Sequence, residues 1–319
     1  MAKHYLDFEK PIQEFEEKII KLQSLDNDSA NVLELERLIN RRDKKIDEIY
    51  GNLNRWQRVQ LARHPERPYS LDYVDGIVDE FVELHGDIAY ADDKAIIGGI
   101  GKINERSVLF IGQQKGRNTK DNLYRNFGMM RPEGYRKALR LMHLADKFSL
   151  PIISLIDTPG AYPGLGAEER GQGEAIAKNL IEMAKLNVPI LAIVIGEGAS
   201  GGALGIGLCD RLIMLENTWY SVISPEGCAS ILWHDAMKAS DAADAMKVTP
   251  EDLKDIGICD RIIEEPTGGA HREPEKMYEI LKTVIQEEIE LIEKENSSNN
   301  YLQSRIDRYD KMGFFQEQE

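Results

Sequence analysis

The sequence predicts an α/β fold: a largely parallel sheet covered by helices on both faces, with a helical hairpin before it and helices after it. Three observations carry this expectation. The run Ile190-Leu191-Ala192-Ile193-Val194-Ile195 contains no polar residue, as a strand buried on both faces requires. The run Pro151-Ile152-Ile153-Ser154-Leu155-Ile156-Asp157 repeats the pattern. Each run ends in a glycine-rich turn and is followed by a helical stretch, so two glycine turns should lie side by side at one edge of the sheet.

Near the N-terminus, Phe8, Ile12, Phe15, Ile19 and Leu22 recur at helical spacing, as do Leu35, Leu38, Ile39, Ile46 and Ile49. Helices are expected over 7–25 and 31–50, parted by the turn and cap residues Asp26-Asn27-Asp28-Ser29. Their apolar stripe is narrow, so the hairpin should pack on the main domain or on a partner chain. Pro65 and Pro68 mark a boundary, and the main domain begins near Tyr69. The runs 96–103 and 107–112 predict a β-hairpin turning at Asn104-Glu105. Pro132 opens a helix over 133–149, with Ala138, Leu141, Met142 and Ala145 on one face. One helix is expected over 166–186, and a short one beginning at Gly201-Gly202. Strands follow at 210–215 and 218–223, and Ser224-Pro225-Glu226 supplies cap, proline and acid for another helix. A short helix at 251–256, a last strand at 260–264 and a charged helical segment to about Tyr309, broken at 296–300, complete the chain. The expected organisation is 1–68 hairpin and linker, 69–265 core and 266–319 C-terminal extension, the last two forming one compact body.

The 319 residues carry 40 Lys and Arg against 55 Asp and Glu, a net charge of −15. That disfavours nucleic acid as the main partner and an anionic membrane surface. Apolar runs of about six residues fall far short of the roughly 20 that a membrane-spanning helix needs. The N-terminal segment has no apolar core of a secretion signal. Cys209, Cys228 and Cys259 are odd in number without CxxC spacing, which points to a reduced, cytoplasmic protein with no zinc site of its own.

The chemistry concentrates in Gly196-Glu197-Gly198-Ala199-Ser200-Gly201-Gly202, which satisfies three patterns at once. Gly196, Gly198 and Gly201 make a dinucleotide fingerprint, with Glu216 as its distal acid. Against it, 202–208 is too short for a βαβ crossover. Gly198, Ser200 and Gly202 make a nucleophile elbow, which needs a histidine, and neither His234 nor His271 stands in a catalytic context. In the third pattern, free amides at a helix start form an oxyanion hole without a protein nucleophile. Glycines serving only tight packing are the plain alternative. Across 115–140, eight basic residues face two acidic ones. Such a patch suits an anionic ligand or a solvated helix face.

The motifs Asp157-Thr158-Pro159-Gly160-Ala161-Tyr162-Pro163-Gly164, Gly196-Glu197-Gly198-Ala199-Ser200-Gly201-Gly202 and Ser221-Val222-Ile223-Ser224-Pro225-Glu226-Gly227-Cys228-Ala229 resemble those of the alpha-type carboxyltransferase subunits of bacterial acetyl-CoA carboxylases. So do Lys115-Gly116-Arg117, Arg125-Asn126-Phe127-Gly128-Met129 and the segment 132–140. The resemblance covers most of the chain, and the tail beyond about 300 adds nothing to it. It implies a crotonase-like spiral of ββα units. It also implies transfer of a carboxyl group from carboxybiotin on a carrier protein to acetyl-CoA, giving malonyl-CoA for fatty acid synthesis. Implied partners are a zinc-bearing beta subunit in an alpha2beta2 assembly, the biotin carboxyl carrier protein and an ATP-dependent biotin carboxylase. Gly201 and Gly202 are then the donors to the biotin ureido oxygen. Gly160, Tyr162 and Gly164 should form the facing wall, with Gly198 and Ser200 completing the turn. Lys115, Arg117, Arg125 and Arg136 become contacts to an anionic ligand or to the partner. A side chain placed at Gly201 should bury the donors. A Clp-type serine peptidase shares the fold but would want a histidine where Ser224-Pro225-Glu226-Gly227 stands. A hydratase would want a second carboxylate beside Glu197.

Overall fold

The computed structural model describes residues 4–24, 29–296 and 300–313. The N-terminal hairpin is α1 (Lys10–Gln23) and α2 (Ser29–Tyr50). Positions 26–28 of the turn expected there lie outside the described residues, as do 297–299 of the later break. Then come α3 (Arg55–Ala62), α4 (Ser70–Ile77), β1 (Asp79–Glu83), β2 (Ile96–Ile103) and β3 (Arg106–Gln113). The central stretch holds α5 (Thr119–Tyr124), α6 (Pro132–Lys147), β4 (Ile152–Thr158), α7 (Leu165–Glu169) and α8 (Gln172–Lys185). It continues through β5 (Ile190–Ala199), α9 (Ser200–Gly207), β6 (Arg211–Leu215), β7 (Trp219–Ser221) and α10 (Pro225–Trp233). The last elements are α11 (Ala239–Met246), α12 (Pro250–Asp255), β8 (Arg261–Ile263), α13 (Pro274–Glu295) and α14 (Tyr301–Asp310).

The strands lie in the order β1-β2-β3-β4-β5-β6-β8, with β7 paired to the far end of β5. The β2–β3 hairpin is antiparallel and turns at Asn104, whose φ of +52° is tolerated by asparagine. From β3 onward the pairing is parallel. Alternation of side chains explains the unbroken apolar runs. Ile190, Ala192 and Val194 face a core with Leu141, Met142 and Met183, while Leu191, Ile193 and Ile195 face a second core with Met277, Leu281 and Ile285. Both faces of β5 are therefore dry from Ile190 to Ile195, which β-branched and aliphatic residues at each of these positions satisfy.

Three expectations are corrected or refined. The helix expected over 166–186 is two, because Gly171 takes φ +79° and ends the first turn-and-a-half. The stretch around Pro65 and Pro68, expected as a boundary, is tightly packed: Arg67 is fully buried, pairs with Glu265 and donates from Nε to the Ile195 carbonyl at 2.7 Å. The tail is not generic. Arg305 of α14 is buried against Asp210 at 2.8 Å, and its guanidinium also takes the Met183, Leu186 and Val188 carbonyls at the end of α8. Carbonyls at and just past a helix C-terminus lack partners within the helix, and Arg305 serves them here. The helices α3, α4, α5 and α11 and the edge strand β1 were absent from the sequence reading; they are short, and their apolar periodicity spans too few turns to register.

Candidate active site

The carboxyl ends of β3, β4 and β5 lie next to one another, and each dry strand closes on a polar residue there: Gln113, Asp157 and Glu197. Gln113 is buried and bridges two elements, donating to the Gly202 carbonyl at 2.7 Å and accepting from the Asp157 amide at 3.0 Å. Lys115 lies between the carboxylates of Asp157 and Glu197, at 2.6 and 2.7 Å. The second Glu197 oxygen accepts from Arg63 Nε at 2.6 Å, and Arg63 also pairs with Glu226 at the start of α10. Burial opposes the charge on Lys115, but Asp157 and Glu197 outweigh it and hold its pKa above the usual ammonium value. Burial likewise opposes ionisation of Glu197, yet Lys115 and Arg63 together hold it below the usual carboxylate range.

Just beyond, β5 ends at Ala199 and α9 begins at Ser200, whose φ of +57° makes the turn. Nothing caps α9 from a side chain, and the first amides of a helix have no partner within it. The two glycine turns meet backbone to backbone: a Cβ on Gly202 would stand 2.3 Å from the Gly160 carbonyl carbon. Gly160 itself holds φ +148°, with its carbonyl fixed by the Thr158 hydroxyl at 2.8 Å. A Cβ on Gly201 would stand 3.3 Å from Ile176 of α8.

Of the other expected wall residues, Tyr162 is half-buried, stacks under the Arg131 guanidinium at 4.6 Å and lies where Gly164 leaves space for its ring. Gly198 packs against Tyr220 of β7. Ser200 is exposed beside Gly201 on a cavity of about 390 Å³, walled by Leu204, Tyr220, Val222 and Val248. A second cavity of about 300 Å³ is lined by Lys115, Glu197, Pro159 and Phe127.

Residues of the basic patch also find partners within the chain. Besides Lys115, Arg117 pairs with Asp72 and donates to the Arg67 carbonyl at 2.8 Å, Arg125 donates to the Lys94 carbonyl at 3.1 Å, and Arg136 donates to Asp87 at 2.8 Å. Lys115, Arg117, Arg136 and Lys137 pair with acids outside the segment, which a count over 115–140 cannot see. Arg63, Gln113 and Asp157 went unread as site residues. Polar residues closing three dry strands were a usable signal for Gln113 and Asp157; Arg63 had none.

The rival readings find little here. Among the described histidines none hydrogen-bonds Ser200; His64 stacks on His271 at 3.9 Å, and His85 and His143 face acids. Glu216 accepts from the Glu265 amide at 3.1 Å and is no ribose acceptor at the turn. Asp157 does supply a second carboxylate beside Glu197, but Lys115 occupies the space between them. Among the described residues no His, Cys, Asp and Glu cluster could hold a metal ion, and no helix is long and apolar enough to cross a membrane.

Comparison with known proteins agrees with this architecture. A family profile described as acetyl co-enzyme A carboxylase carboxyltransferase-like matches residues 5–313. The acetyl-coenzyme A carboxylase carboxyl transferase subunit alpha of Xanthomonas axonopodis pv. citri is 56% identical over 99% of both chains, and that of Chlorobium phaeobacteroides 53% identical over 100% of this chain and 99% of its own. Among solved structures, a Pseudomonas malonate decarboxylase hetero-tetramer superposes with TM-score 0.55 at 15% identity, covering 70% of this chain and 87% of that one. Transcarboxylase 12S superposes with TM-score 0.54 at 21% identity over 68% of this chain, which spans 41% of the transcarboxylase chain. At such identities these two show a shared crotonase-like fold. With its glycine turns, its strand order and its full-length likeness to alpha subunits, the chain belongs to the acetyl-CoA carboxylase carboxyltransferase family, on the alpha-subunit side.

Proposed function

We propose that this chain is the half of an acetyl-CoA carboxylase carboxyltransferase that receives biotin, and that its glycine turn takes up negative charge from the biotin ureido oxygen. In this reading the carboxyl group passes from biotin on a carrier protein to acetyl-CoA, and malonyl-CoA feeds fatty acid synthesis in the cytoplasm. Biotin supplies the ureido group that carries the carboxyl and later takes a proton. This chain's own part is electrostatic. The amides of Gly201 and Gly202, at the uncapped start of α9, offer fixed donors that need no pKa tuning and no reorganisation. The cavity beside Ser200 and Gly201 is a fitting neighbour, since its largely apolar walls lower the local dielectric and strengthen such hydrogen bonds. Lys115, Asp157 and Glu197 are consumed by one another, which leaves the backbone and the Ser200 hydroxyl as the polar groups offered at the turn.

The observation that carries this reading is the backbone-to-backbone packing of Gly202 on Gly160 at the ends of two adjacent parallel strands. The alpha-subunit likeness supports a beta subunit, zinc-bearing in this reading, as the partner holding CoA. An alpha2beta2 assembly served by the carrier protein and biotin carboxylase is the working arrangement. The test mixes this chain with that beta subunit and follows malonyl-CoA decarboxylation in the presence of free biotin. Activity is expected only in the mixture; an inactive mixture, or one indifferent to biotin, would overturn the reading.

A further inference from the structure

The ladder between β4 and β5 is not regular to its end. Ile156 pairs with Val194, yet Thr158 pairs with Gly198, so β4 advances two residues while β5 advances four. The surplus makes a bend in β5 at 195–197, after which the strand leaves β6 and pairs with β7. A bulge of this kind frees backbone groups that must find partners elsewhere. Two side chains supply them. Arg67 Nε donates to the Ile195 carbonyl at 2.7 Å, and Asp157 Oδ1 accepts from the Glu197 amide at 3.0 Å. Between these, Gly196 has no space for a side chain: a Cβ there would stand 2.4 Å from the Asp157 carboxylate.

Glu197 then ties the bend to two further elements. Its two oxygens face two donors, Lys115 from the segment after β3 and Arg63 from the end of α3, at 2.7 and 2.6 Å. Three residues later the chain reverses at Ser200 into α9. A displacement of the bend therefore moves the glycine turn directly. We propose that Glu197 is a positioning residue: gripped by Lys115 and Arg63, it fixes the bend in β5 and so sets where the amides of Gly201 and Gly202 point. The catalytic consequence rests on the reading of that turn given above; the positional one does not.

Charge arithmetic selects the variant that tests this. The cluster holds two cations, Lys115 and Arg63, and three carboxylates, Asp157, Glu197 and Glu226. Lys115→Met would strand Asp157 and Glu197 with only Arg63 between them and is expected to fail in folding. Glu197→Gln leaves two cations for two carboxylates, so the fold should hold its melting temperature. A glutamine, however, offers one acceptor where two donors wait, and one of the two grips must open. The expected result in the isolated full-length chain is amide hydrogen exchange at 197–203 at least about tenfold faster, with α6 and α13 unchanged. In the complex with the beta subunit, kcat should fall about ten- to a hundredfold with KM for malonyl-CoA unchanged, as a misplacement of about 1 Å does. Unchanged exchange at 197–203 overturns the proposal whatever the activity. Faster exchange with wild-type kcat upholds the positional role and counts instead against the turn as the site of charge uptake.

Discussion

Single residues here act as much by the space they leave as by the groups they bring. Gly202 allows two backbone turns to touch, Gly196 makes room for a carboxylate, and Gly164 makes room for a tyrosine ring. Where side chains do enter, burial decides their state. His271 stacks on His64 with both ring nitrogens buried and unpartnered, and burial, with help from His64 and neighbouring arginines, pushes its pKa down to about 2. An imidazole depressed in the folded state contributes stability that is complete above its unfolded pKa of about 6.5 and is lost as pH falls below that value. Acidification from pH 7.5 to 5 should therefore cost the fold about 1–2 kcal/mol through this residue. Denaturant titrations of His271→Phe, which keeps the stack but cannot titrate, should show that much less acid sensitivity. An identical pH dependence in the variant would remove His271 from the account.

At the scale of elements, the dry strands were legible because β5 and β4 are apolar on both faces, and the β2–β3 hairpin because asparagine marks its turn. Their adjacency, and so the pairing of the glycine turns, followed from two strand–turn–helix units in succession. What could not be read were partnerships across long sequence distances. Lys115 looked like a cation awaiting an anion, because Asp157 and Glu197 lie 42 and 82 residues away. The bend in β5 was invisible for the same reason, since an apolar run does not reveal a change of neighbour. The C-terminal helix is the clearest instance. Its composition is ordinary, yet Arg305 closes the end of α8 and neutralises Asp210. Arg305→Ala would leave a buried carboxylate without its partner, at a cost of about 3–5 kcal/mol. Calorimetry should register this as a clear drop in melting temperature; a loss below about 1 kcal/mol would show that α14 is an accessory.

Across the whole molecule, one interruption of the acidic surface lies at α10. From α10 onward Ile231, Leu232 and Met237 are 67%, 62% and 90% exposed, with Val222 and Trp233 close in sequence. Exposed aliphatic residues in such a run mark an interaction surface. The first turn of the same helix carries Glu226, which reaches the site through Arg63. This is where the beta subunit is expected to dock. Leu232→Asp should leave the isolated chain's melting temperature unchanged while abolishing co-elution with the beta subunit; co-elution at wild-type strength would place the interface elsewhere. The central claim, that facing glycine turns build the charge-accepting site, is tested most directly by kcat of Gly202→Ala in the assembled complex. Gly173→Ala is the reference, a helical glycine with open space around it. The account predicts a loss of at least about a hundredfold at Gly202, with assembly intact and Gly173→Ala near wild type. Wild-type kcat in Gly202→Ala would contradict it.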